Sequence, residues 1–322
     1  MLPSTTSPAK DTYKISNWKA YNASLCKRGS LTIWIEESVL RAWGEISAEK
    51  KVVGEKLYSD SIIQCCLLLG KVYHQPLRQT TGFVESLLGM MGCKGYLVPD
   101  YSTLCRRQSG LPVAVSHALE SGKKIDIAID STGLKVYGEG EWKVRKHGVS
   151  KRRTWRKLHI GIDVHTQEIV CVELTTNGED DAATATKMLK GKREKISSFR
   201  GDGAYDDFSF RETLGSGVKQ IIPPPIDAVV QKGTKKKPLK ACLVQRNEAV
   251  KFIQTHDRKA WKIKEGYHER SLNEVVMFRY KATFTASMSA RKMDNQKTEV
   301  LLKCKILNLF NKQGMPLAYK AA

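Results

Sequence analysis

The apolar residues in the first third of the chain recur at helical spacing, interrupted by turn-forming residues. They predict helices over 60–72 and 77–91, and a third helix that begins at Tyr101 and carries Arg106 and Arg107. Helix, turn and basic helix in this order are typical of a helix-turn-helix unit that reads DNA. A three-helix cap with a solvated charged face is the alternative. The chain before residue 54 is patterned more weakly and is expected to be loosely organised.

After Gly122 the pattern changes to short runs in which apolar and polar residues alternate. Strands are predicted over 123–137, 153–164, 167–176, 196–203 and 219–225, and helices over 180–190 and 206–214. The resulting order, βββ-α-β-α-β, is that of a ribonuclease-H-like fold, an α/β architecture with a mixed sheet. Further helices are predicted over 243–259, 271–280 and 298–310.

These patterns divide the chain into two regions. A helical N-terminal region over 1–120 is assigned to DNA binding and dimerisation, and a catalytic domain is assigned to 121–322. The catalytic domain includes a polar, basic loop at 227–239 before its C-terminal helices. No internal repeat interrupts this division.

Charge is the unusual feature of the composition. Lys and Arg number 54 against 33 Asp and Glu, which gives a formal net charge of +21 in 322 residues. Such an excess is self-repulsive unless an anionic partner offsets it, and nucleic acid is the leading candidate. An anionic membrane surface would require a basic amphipathic segment or an anchor signal, and the sequence shows neither.

The cysteines and the N-terminus indicate the compartment. The eight cysteines include no C-x-x-C pair, which argues against a zinc ribbon or finger. The polar N-terminus lacks the apolar core of a signal peptide, and no apolar run is long enough for a transmembrane helix. We therefore expect a cytosolic protein with reduced thiols and no membrane partner.

Two aspartates follow apolar runs of the predicted sheet. Asp130 ends the run IDIAID, and Asp202 follows SFRG. Ligands of α/β sheets gather at the carboxyl ends of strands, and Glu274 on a downstream helix could join the two aspartates there. Three carboxylates suit a pair of Mg²⁺ ions, which can activate a hydroxyl and stabilise the departing oxygen in phosphodiester attack. An isolated aspartate after a strand is more often a turn residue or helix cap.

The helix around Glu274 carries cations on the same face. Arg270 precedes Glu274 by four residues and Lys281 follows it by seven, so the three side chains share one side of a helix. A carboxylate flanked in this way can hold a metal ion while the cations grip phosphates. The alternative is an ordinary surface pair between Arg270 and Glu274.

The same region carries a recognisable motif. Four residues form a Y-x2-R-x3-E-x6-K pattern: Tyr267, Arg270, Glu274 and Lys281. This pattern resembles the signature around the catalytic glutamate of DDE transposases of the insertion-sequence-four and insertion-sequence-five groups. The segments IAIDSTGLKVYGEGEW and RGDGAYD are similar to the first and second aspartate regions. NWKAYNASLCKRGSLTIWI and PDYSTLCRR resemble the insertion-sequence-five group, so the resemblance covers nearly the whole chain.

The resemblance implies a fold, an activity and a set of roles. It implies a ribonuclease-H-like core that depends on Mg²⁺, for which Mn²⁺ can substitute. It also implies binding to terminal inverted repeats, hydrolysis at the element ends and strand transfer into target DNA. Asp130, Asp202 and Glu274 would be the catalytic metal ligands. Arg270 and Lys281 would contact DNA phosphates beside Tyr267.

The segment 142–158 is dense in cations between tryptophans. Its predicted DNA contacts, favoured over a solvated surface, are Lys143, Arg145, Lys146, Lys151, Arg152, Arg153 and Arg156. Trp142, Trp155 and Trp261 could stack on an unpaired base, but packing in the core is favoured for Trp155 and Trp261. The three lysines at 235–237 fit a solvated loop or a DNA clamp equally well.

Three functions remain in competition. The first is a transposase of a bacterial insertion sequence, acting as a homodimer or larger assembly on double-stranded DNA in the cytoplasm, associated with the nucleoid. The second is a sequence-specific DNA-binding regulator whose ribonuclease-H-like domain is inactive. The third is a nuclease that cuts without joining. The extended motif around Glu274 favours the first.

Overall fold

The computed structural model describes residues 13–46, 57–136, 155–234 and 238–321. The helices are α1 (Trp18–Lys27), α2 (Glu37–Gly44), α3 (Asp60–Val72), α4 (Leu77–Met90), α5 (Tyr101–Gln108), α6 (Asp181–Leu189), α7 (Phe208–Leu214), α8 (Val244–Thr255), α9 (Arg258–Lys264), α10 (Ser271–Phe284) and α11 (Met293–Gln313). The strands are β1 (Tyr13–Ile15), β2 (Ile125–Lys135), β3 (Trp155–Asp163), β4 (Ile169–Thr176), β5 (Ile196–Arg200), β6 (Lys219–Ile221) and β7 (Ala318–Lys320).

The described residues form a five-stranded mixed sheet in the order β4-β3-β2-β5-β6. β2 pairs antiparallel with β3 and parallel with β5, so it is the central strand. β3 pairs antiparallel with β4, and β5 pairs parallel with β6. The predicted order βββ-α-β-α-β and the mixed α/β sheet are confirmed. The ribonuclease-H-like assignment stays a prediction.

The sheet is covered by helices on both faces. Side chains such as Leu134 and Ile160 belong to one buried cluster with residues of α3, α10 and α11. Ile127 and Ile129 point to the other face, where they join a second cluster with residues of α6 and α7. Odd-numbered and even-numbered residues of β2 lie on opposite faces of the sheet, because successive strand side chains point to opposite sides. The first cluster contains residues from both sides of residue 120, where the boundary between the two regions is predicted. That division into two regions stays a prediction.

The predicted helices of the first third are present. α3 begins after Ser59, whose hydroxyl accepts a hydrogen bond from the backbone N–H of Ile62 at 3.4 Å. α5 begins after Asp100, whose carboxylate accepts from the N–H of Ser102 at 2.8 Å. These side chains satisfy amide groups that have no partner within the helix.

The expectation of a loosely organised N-terminal stretch is wrong for its described part. This part contains β1, α1 and α2, and β1 pairs with β7 near the other end of the chain. Asn17 strengthens the junction, because its side chain donates to Met315 O at 3.0 Å and accepts from Leu317 N at 2.8 Å. The order here comes from contacts about 300 residues apart in sequence, which local patterning does not reveal.

The helix predicted over 243–259 is divided. α8 ends at Thr255 and α9 begins at Arg258, with Asp257 between them in extended conformation. The Asp257 carboxylate accepts from the N–H of Ala260 at 2.5 Å, so this residue starts a new helix instead of continuing the old one. α10 and α11 are longer than predicted, since tertiary packing stabilises their ends.

α11 carries polar residues at buried positions. The Asn308 side chain donates to Ile169 O and accepts from Ile169 N, both at 2.8 Å, and thereby ties α11 to β4. Within the described ranges, no helix is long and apolar enough to cross a membrane.

A substitution at Gly161 in β3 tests how tightly the sheet is packed. A Cβ at this position would lie 2.4 Å from Cys171 Sγ and 3.2 Å from a side-chain carbon of Ile127. We expect Gly161→Ala to lower the free energy of unfolding by about 1–3 kcal/mol, measured by urea denaturation, because the core must shift to admit the methyl group. Gly178→Ala is the control, since nothing lies within 4 Å of its Cβ position. Equal effects of the two substitutions would contradict the packing described here.

Candidate active site

The two aspartates lie side by side where the parallel part of the sheet ends. Ala128 of β2 is in register with Arg200 of β5, and β5 ends there. Asp130 and Asp202 each follow two residues later, so the parallel register brings them to the same level. Asp130 ends the apolar run but lies inside its strand, because β2 continues to Lys135 through its pairing with β3, in agreement with the strand predicted over 123–137.

Arg270 joins Asp130 to Glu274. One guanidinium nitrogen donates to Asp130 Oδ2 at 2.6 Å, and the other terminal nitrogen donates to Glu274 Oε1. The Asp130 and Arg270 side chains are 17% and 19% exposed, whereas Glu274 is 55% exposed. The arginine therefore neutralises a largely buried carboxylate and leaves Glu274 accessible to solvent.

Burial and repulsion destabilise the charge on Asp130. Burial raises the pKa of Asp130 above its ordinary value of 3.8, and the nearby carboxylates of Asp202 and Glu274 raise it further. The N–H of Ser131 and the Arg270 guanidinium act in the opposite direction. The pKa is raised on balance because burial, the largest cause, and the two neighbouring carboxylates outweigh the Ser131 N–H and the guanidinium.

Tyr267 and Lys281 complete the predicted motif around these carboxylates. The Arg270 guanidinium carbon lies 5.8 Å from the centre of the Tyr267 ring. Burial raises the pKa of the Tyr267 hydroxyl above its ordinary value of 10.0. Lys281 Nζ donates to Thr132 Oγ1 at 2.6 Å, two residues from Asp130 on the same face of β2. The four motif residues and the two aspartates thus lie on or beside the junction of β2, β5 and α10.

The turn before α10 carries two of the motif residues. Tyr267–Arg270 form a 3-10 helix, and the α-helix begins only at Ser271. Arg200 at the end of β5 contacts Glu269 in this turn, with Arg200 Nη2 2.6 Å from Glu269 Oε2. This ion pair fixes the turn that presents Tyr267 and Arg270 to the aspartates.

Asn273 holds α10 against the sheet. It is fully buried, and its side-chain amide donates to Ala128 O at 2.9 Å and to Ile160 O at 2.8 Å. Glu274 is the next residue, so this contact sets the height of Glu274 above the central strand. Asn273 is not among the predicted site residues, although an asparagine inside an otherwise favourable helix is a usable signal of a specific side-chain contact.

A second polar group lies behind Asp130. Asp181 at the start of α6 contacts Lys157 Nζ at 2.8 Å and His159 Nδ1 at 3.3 Å, and it interacts with Ser131. Burial opposes ionisation of Asp181, but these hydrogen bonds and the lysine charge lower its pKa below its usual range. His159 is buried here, and its Nε2 lies 2.9 Å from Thr175 Oγ1.

The predicted DNA contacts have different surroundings. Arg106 is exposed on α5, whereas Arg107 donates to Asp60 Oδ1 at 2.5 Å and to Tyr58 O at 2.8 Å. Arg156 donates to Gln296 Oε1 at 2.9 Å. Arg107 and Arg156 therefore have structural partners, and their contact with DNA stays a prediction. The predicted contacts outside the described residues are Lys143, Arg145, Lys146, Lys151, Arg152 and Arg153.

Two of the tryptophans lie within the described ranges. Trp261 is 3% exposed and packs with Ile221 and Ala249, which confirms the core interpretation. Trp155 is partly exposed and lies beside Lys135, whose Nζ is 5.8 Å from the ring centre. Trp142 and the lysines at 235–237 lie outside the described residues.

The donor chemistry of the site suits a hard divalent cation. Asp130, Asp202 and Glu274 offer carboxylate oxygens, and the charges of Asp202 and Glu274 both act on Asp130. Among the described residues, however, no group of three or more His, Cys, Asp or Glu side chains is arranged to hold a metal ion. Arg270 lies between Asp130 and Glu274, so direct coordination by both would require this arginine to move.

Two family models match the parts of the chain that contain the candidate active site. A family model described as "Transposase DDE domain" matches residues 121–309, and another with that description matches residues 26–139. A solved structure, a piggyBac transposase synaptic complex with hairpin DNA, is 11% identical and has a TM-score of 0.28. That match covers 94% of this chain and 84% of the other.

Asn273 provides a test of how α10 is positioned. We expect Asn273→Leu to lower the free energy of unfolding by about 1–3 kcal/mol, because the Ala128 and Ile160 carbonyls lose a buried donor. The measurement is urea denaturation followed by circular dichroism. Val275→Ala, at an exposed position of the same helix, is the control and should have a small effect. An unchanged stability of the Asn273 variant would contradict the proposed anchoring.

Asp130 gives the site a defined pH dependence. Its folded-state pKa is raised, so the folded protein binds this proton more tightly than the unfolded chain does. The contribution of Asp130 to stability is therefore lost as the pH rises from 3.8 through the raised pKa. We expect Asp130→Asn to be more stable than the wild type at pH 7.5 in a metal chelator, and this advantage to shrink towards pH 4. A variant that is less stable at pH 7.5 and recovers in acid would show that the pairing with Arg270 dominates.

Proposed function

Because the chain belongs to the DDE transposase family, we propose that it binds the terminal inverted repeats of a bacterial insertion sequence and catalyses DNA cleavage and strand transfer. The observation that supports this most directly is the convergence of Asp130, Asp202 and Glu274 at the end of the parallel strands. Arg270, Tyr267 and Lys281 surround them in the predicted pattern. We assign the element to the insertion-sequence-five group on the Y-x2-R-x3-E-x6-K motif, and the catalytic domain, over 121–322, to the ribonuclease-H-like fold.

Asp130, Asp202 and Glu274 would hold Mg²⁺, or Mn²⁺ in its place. When bound, such ions lower the pKa of a coordinated hydroxyl and stabilise the oxygen that leaves the phosphorus. Asp130 is the most constrained of the three, because the central strand, the Ser131 N–H and Arg270 all orient its carboxylate. Glu274 is the most exposed and is free to adjust as DNA enters.

Arg270 has two roles in this proposal. Without DNA it offsets the repulsion between Asp130 and Glu274. When the site holds cations and a DNA strand, the guanidinium turns to a phosphate, for which its planar donors are well suited. Tyr267 supports the guanidinium, and Lys281 is close enough to Asp130 to contact a neighbouring phosphate.

The remaining basic groups would bind DNA outside the catalytic centre. We propose that α3 to α5 act as a helix-turn-helix-like unit within the N-terminal region over 1–120, with Arg106 exposed towards DNA. The cations of segment 142–158 would grip the backbone near the cut. Two element ends must be held together for strand transfer, so we expect a homodimer or larger assembly on DNA, in the cytoplasm at the nucleoid.

A cleavage and joining assay tests the proposal. The substrate is DNA carrying the element's own ends, with Mg²⁺ or Mn²⁺, and the variants are Glu274→Gln and the exposed control Glu248→Gln. We expect wild type and control to cut and join, and Glu274→Gln to bind the ends while losing at least about 100-fold in rate, because charge stabilisation at the reacting phosphate is lost. Chelation of the metal should abolish the activity of all three proteins.

The alternatives give different outcomes of this assay. Specific binding to the ends without metal-dependent cutting by the wild type would indicate a DNA-binding regulator, and the assignment of the three carboxylates would be wrong. Cutting without joined products would indicate a nuclease. Equal activity of Glu274→Gln and Glu248→Gln would remove Glu274 from the catalytic set.

A further inference from the structure

The turn that carries Asp202 ends in a buried aspartate, Asp206, whose carboxylate takes no part in the proposed chemistry. Gly203–Tyr205 form a 3-10 helix directly after Asp202, and Asp206 follows it. The Asp202 carboxylate accepts from the N–H of Ala204 at 2.9 Å, and the N–H of Asp206 donates to Gly203 O at 3.1 Å. These bonds make 202–206 one short unit, so the position of Asp206 influences that of Asp202.

Two arginines hold the Asp206 carboxylate. Arg211 Nε, from α7, donates to Asp206 Oδ1 at 2.7 Å, and Arg246 Nε, from α8, donates to Oδ2 at 3.0 Å. The side chains of Asp206, Arg211 and Arg246 are only 2%, 1% and 6% exposed. One buried carboxylate therefore joins the turn to two helices.

The other nitrogens of the arginines bind the chain at and beyond β6. Arg211 Nη1 donates to Gln220 Oε1 at 3.0 Å, and its Nη2 donates to Ile222 O at 3.1 Å. Arg246 Nη1 donates to Val229 O at 3.2 Å. Because β6 pairs with β5, these bonds connect the turn after β5 with the neighbouring strand and the loop that follows it.

This buried cluster is poorly explained by stability alone. Burial lowers the pKa of Arg211 below its ordinary value of 12.5, and the charge of Asp206 acts in the opposite direction. Two guanidiniums and one carboxylate leave one positive charge in excess. Apolar side chains of similar size are often as stable in such a place. Charge-assisted bonds are short and directional, so what the cluster adds is a defined geometry.

Apolar packing is the other constraint on the turn. The Tyr205 ring is 1% exposed and lies 5.6 Å from the Phe199 ring and 5.8 Å from the Phe210 ring, measured between centres. This packing holds one side of the turn against β5 and α7. If it were sufficient, the bonds of Asp206 would add nothing to the position of Asp202, and this alternative is open to experiment.

We propose that Asp206 is a positioning residue: held by Arg211 and Arg246, it fixes the turn that places the Asp202 carboxylate beside Asp130. The inference rests on the proposed function, in which Asp202 is one of the three catalytic carboxylates. Asp206 acts through the turn and not by contact with DNA, because its side chain is buried. A displacement of about 1 Å at a reacting group can lower a rate by about 100-fold.

Amide hydrogen exchange of the full chain tests the effect on the turn without DNA or metal. We expect Asp206→Asn to speed exchange of the amides at 205 and 206 at least about tenfold, because a neutral side chain holds the guanidiniums less firmly. Asp207→Ala is the matched control, since the exposed Asp207 carboxylate caps α7 by accepting from the N–H of Phe210 at 2.8 Å. It should speed exchange at the start of α7 and leave the amides at 205 and 206 within about twofold.

Cleavage of the element ends then shows whether the position of the turn matters for the reaction. We expect Asp206→Asn to lower kcat about tenfold and to change KM less than about twofold, because geometry is lost and DNA binding is not. Asp207→Ala should retain the wild-type kcat although it loses a helix cap. An ion cluster with a structural role alone would reduce the folded fraction and leave kcat per folded molecule unchanged.

Arg246→Met keeps the proposal testable if Asp206→Asn does not fold. This variant leaves Asp206 and Arg211 as a balanced pair and removes only the bond to α8, so we expect it to fold. Exchange at 205 and 206 should become about threefold faster and kcat about threefold lower, in line with the loss of one of two bonds to the carboxylate.

Three outcomes would overturn the proposal. These are unchanged exchange at 205 and 206 in both Asp206→Asn and Arg246→Met, faster exchange with an unchanged kcat, and equal losses of kcat in Asp206→Asn and Asp207→Ala. A wild type that binds the ends without cutting them would contradict the proposed function instead, and the exchange rates would still decide whether Asp206 fixes the turn.

Discussion

The arrangement of the candidate active site depends on one guanidinium group placed between two carboxylates. Asp130 is largely buried and carries a raised pKa, so its charge would be hard to maintain next to Asp202 and Glu274 without Arg270. While Arg270 bonds both Asp130 and Glu274, its side chain is held in one position. In the folded protein this pairing holds the Asp130 and Glu274 carboxylates on one guanidinium. Replacement of the arginine by another cation is then an exchange of charge for charge.

Backbone contacts from buried asparagines give this arrangement its rigid frame. Asn273 attaches α10 to β2 and β3, and Asn308 attaches α11 to β4. An amide side chain can donate and accept, so it can bond main-chain groups that the sheet leaves available. Because the bonds are directional, they fix the position of each helix along a strand more narrowly than apolar packing does. Glu274 takes its position from the residue before it.

The lysines and arginines of the chain have different surroundings in the structure. Arg107, Arg156 and Lys157 have acidic or amide partners inside the fold, and Lys71 and Lys303 surround a buried glutamate. These cations orient other groups within the fold. Exposed cations, such as Arg106, remain for that purpose. A count of lysines and arginines therefore indicates an anionic partner, but it does not say which side chains contact it.

The sequence by itself determined the order of strands and helices from residue 123 to 221, because the period of apolar residues follows directly from strand and helix geometry. It also determined the spacing of Tyr267, Arg270, Glu274 and Lys281, since neighbours on one helix are set by local geometry. Only the tertiary structure decided that Arg270 bonds both Glu274 and Asp130, which lies 140 residues before the arginine, and that Asp257 divides a predicted helix. The same holds for the pairing of β1 with β7 and for the contact of Arg246 with Asp206. These features arise from contacts between segments distant in the chain, and the pattern of any one segment carries no information about its partner.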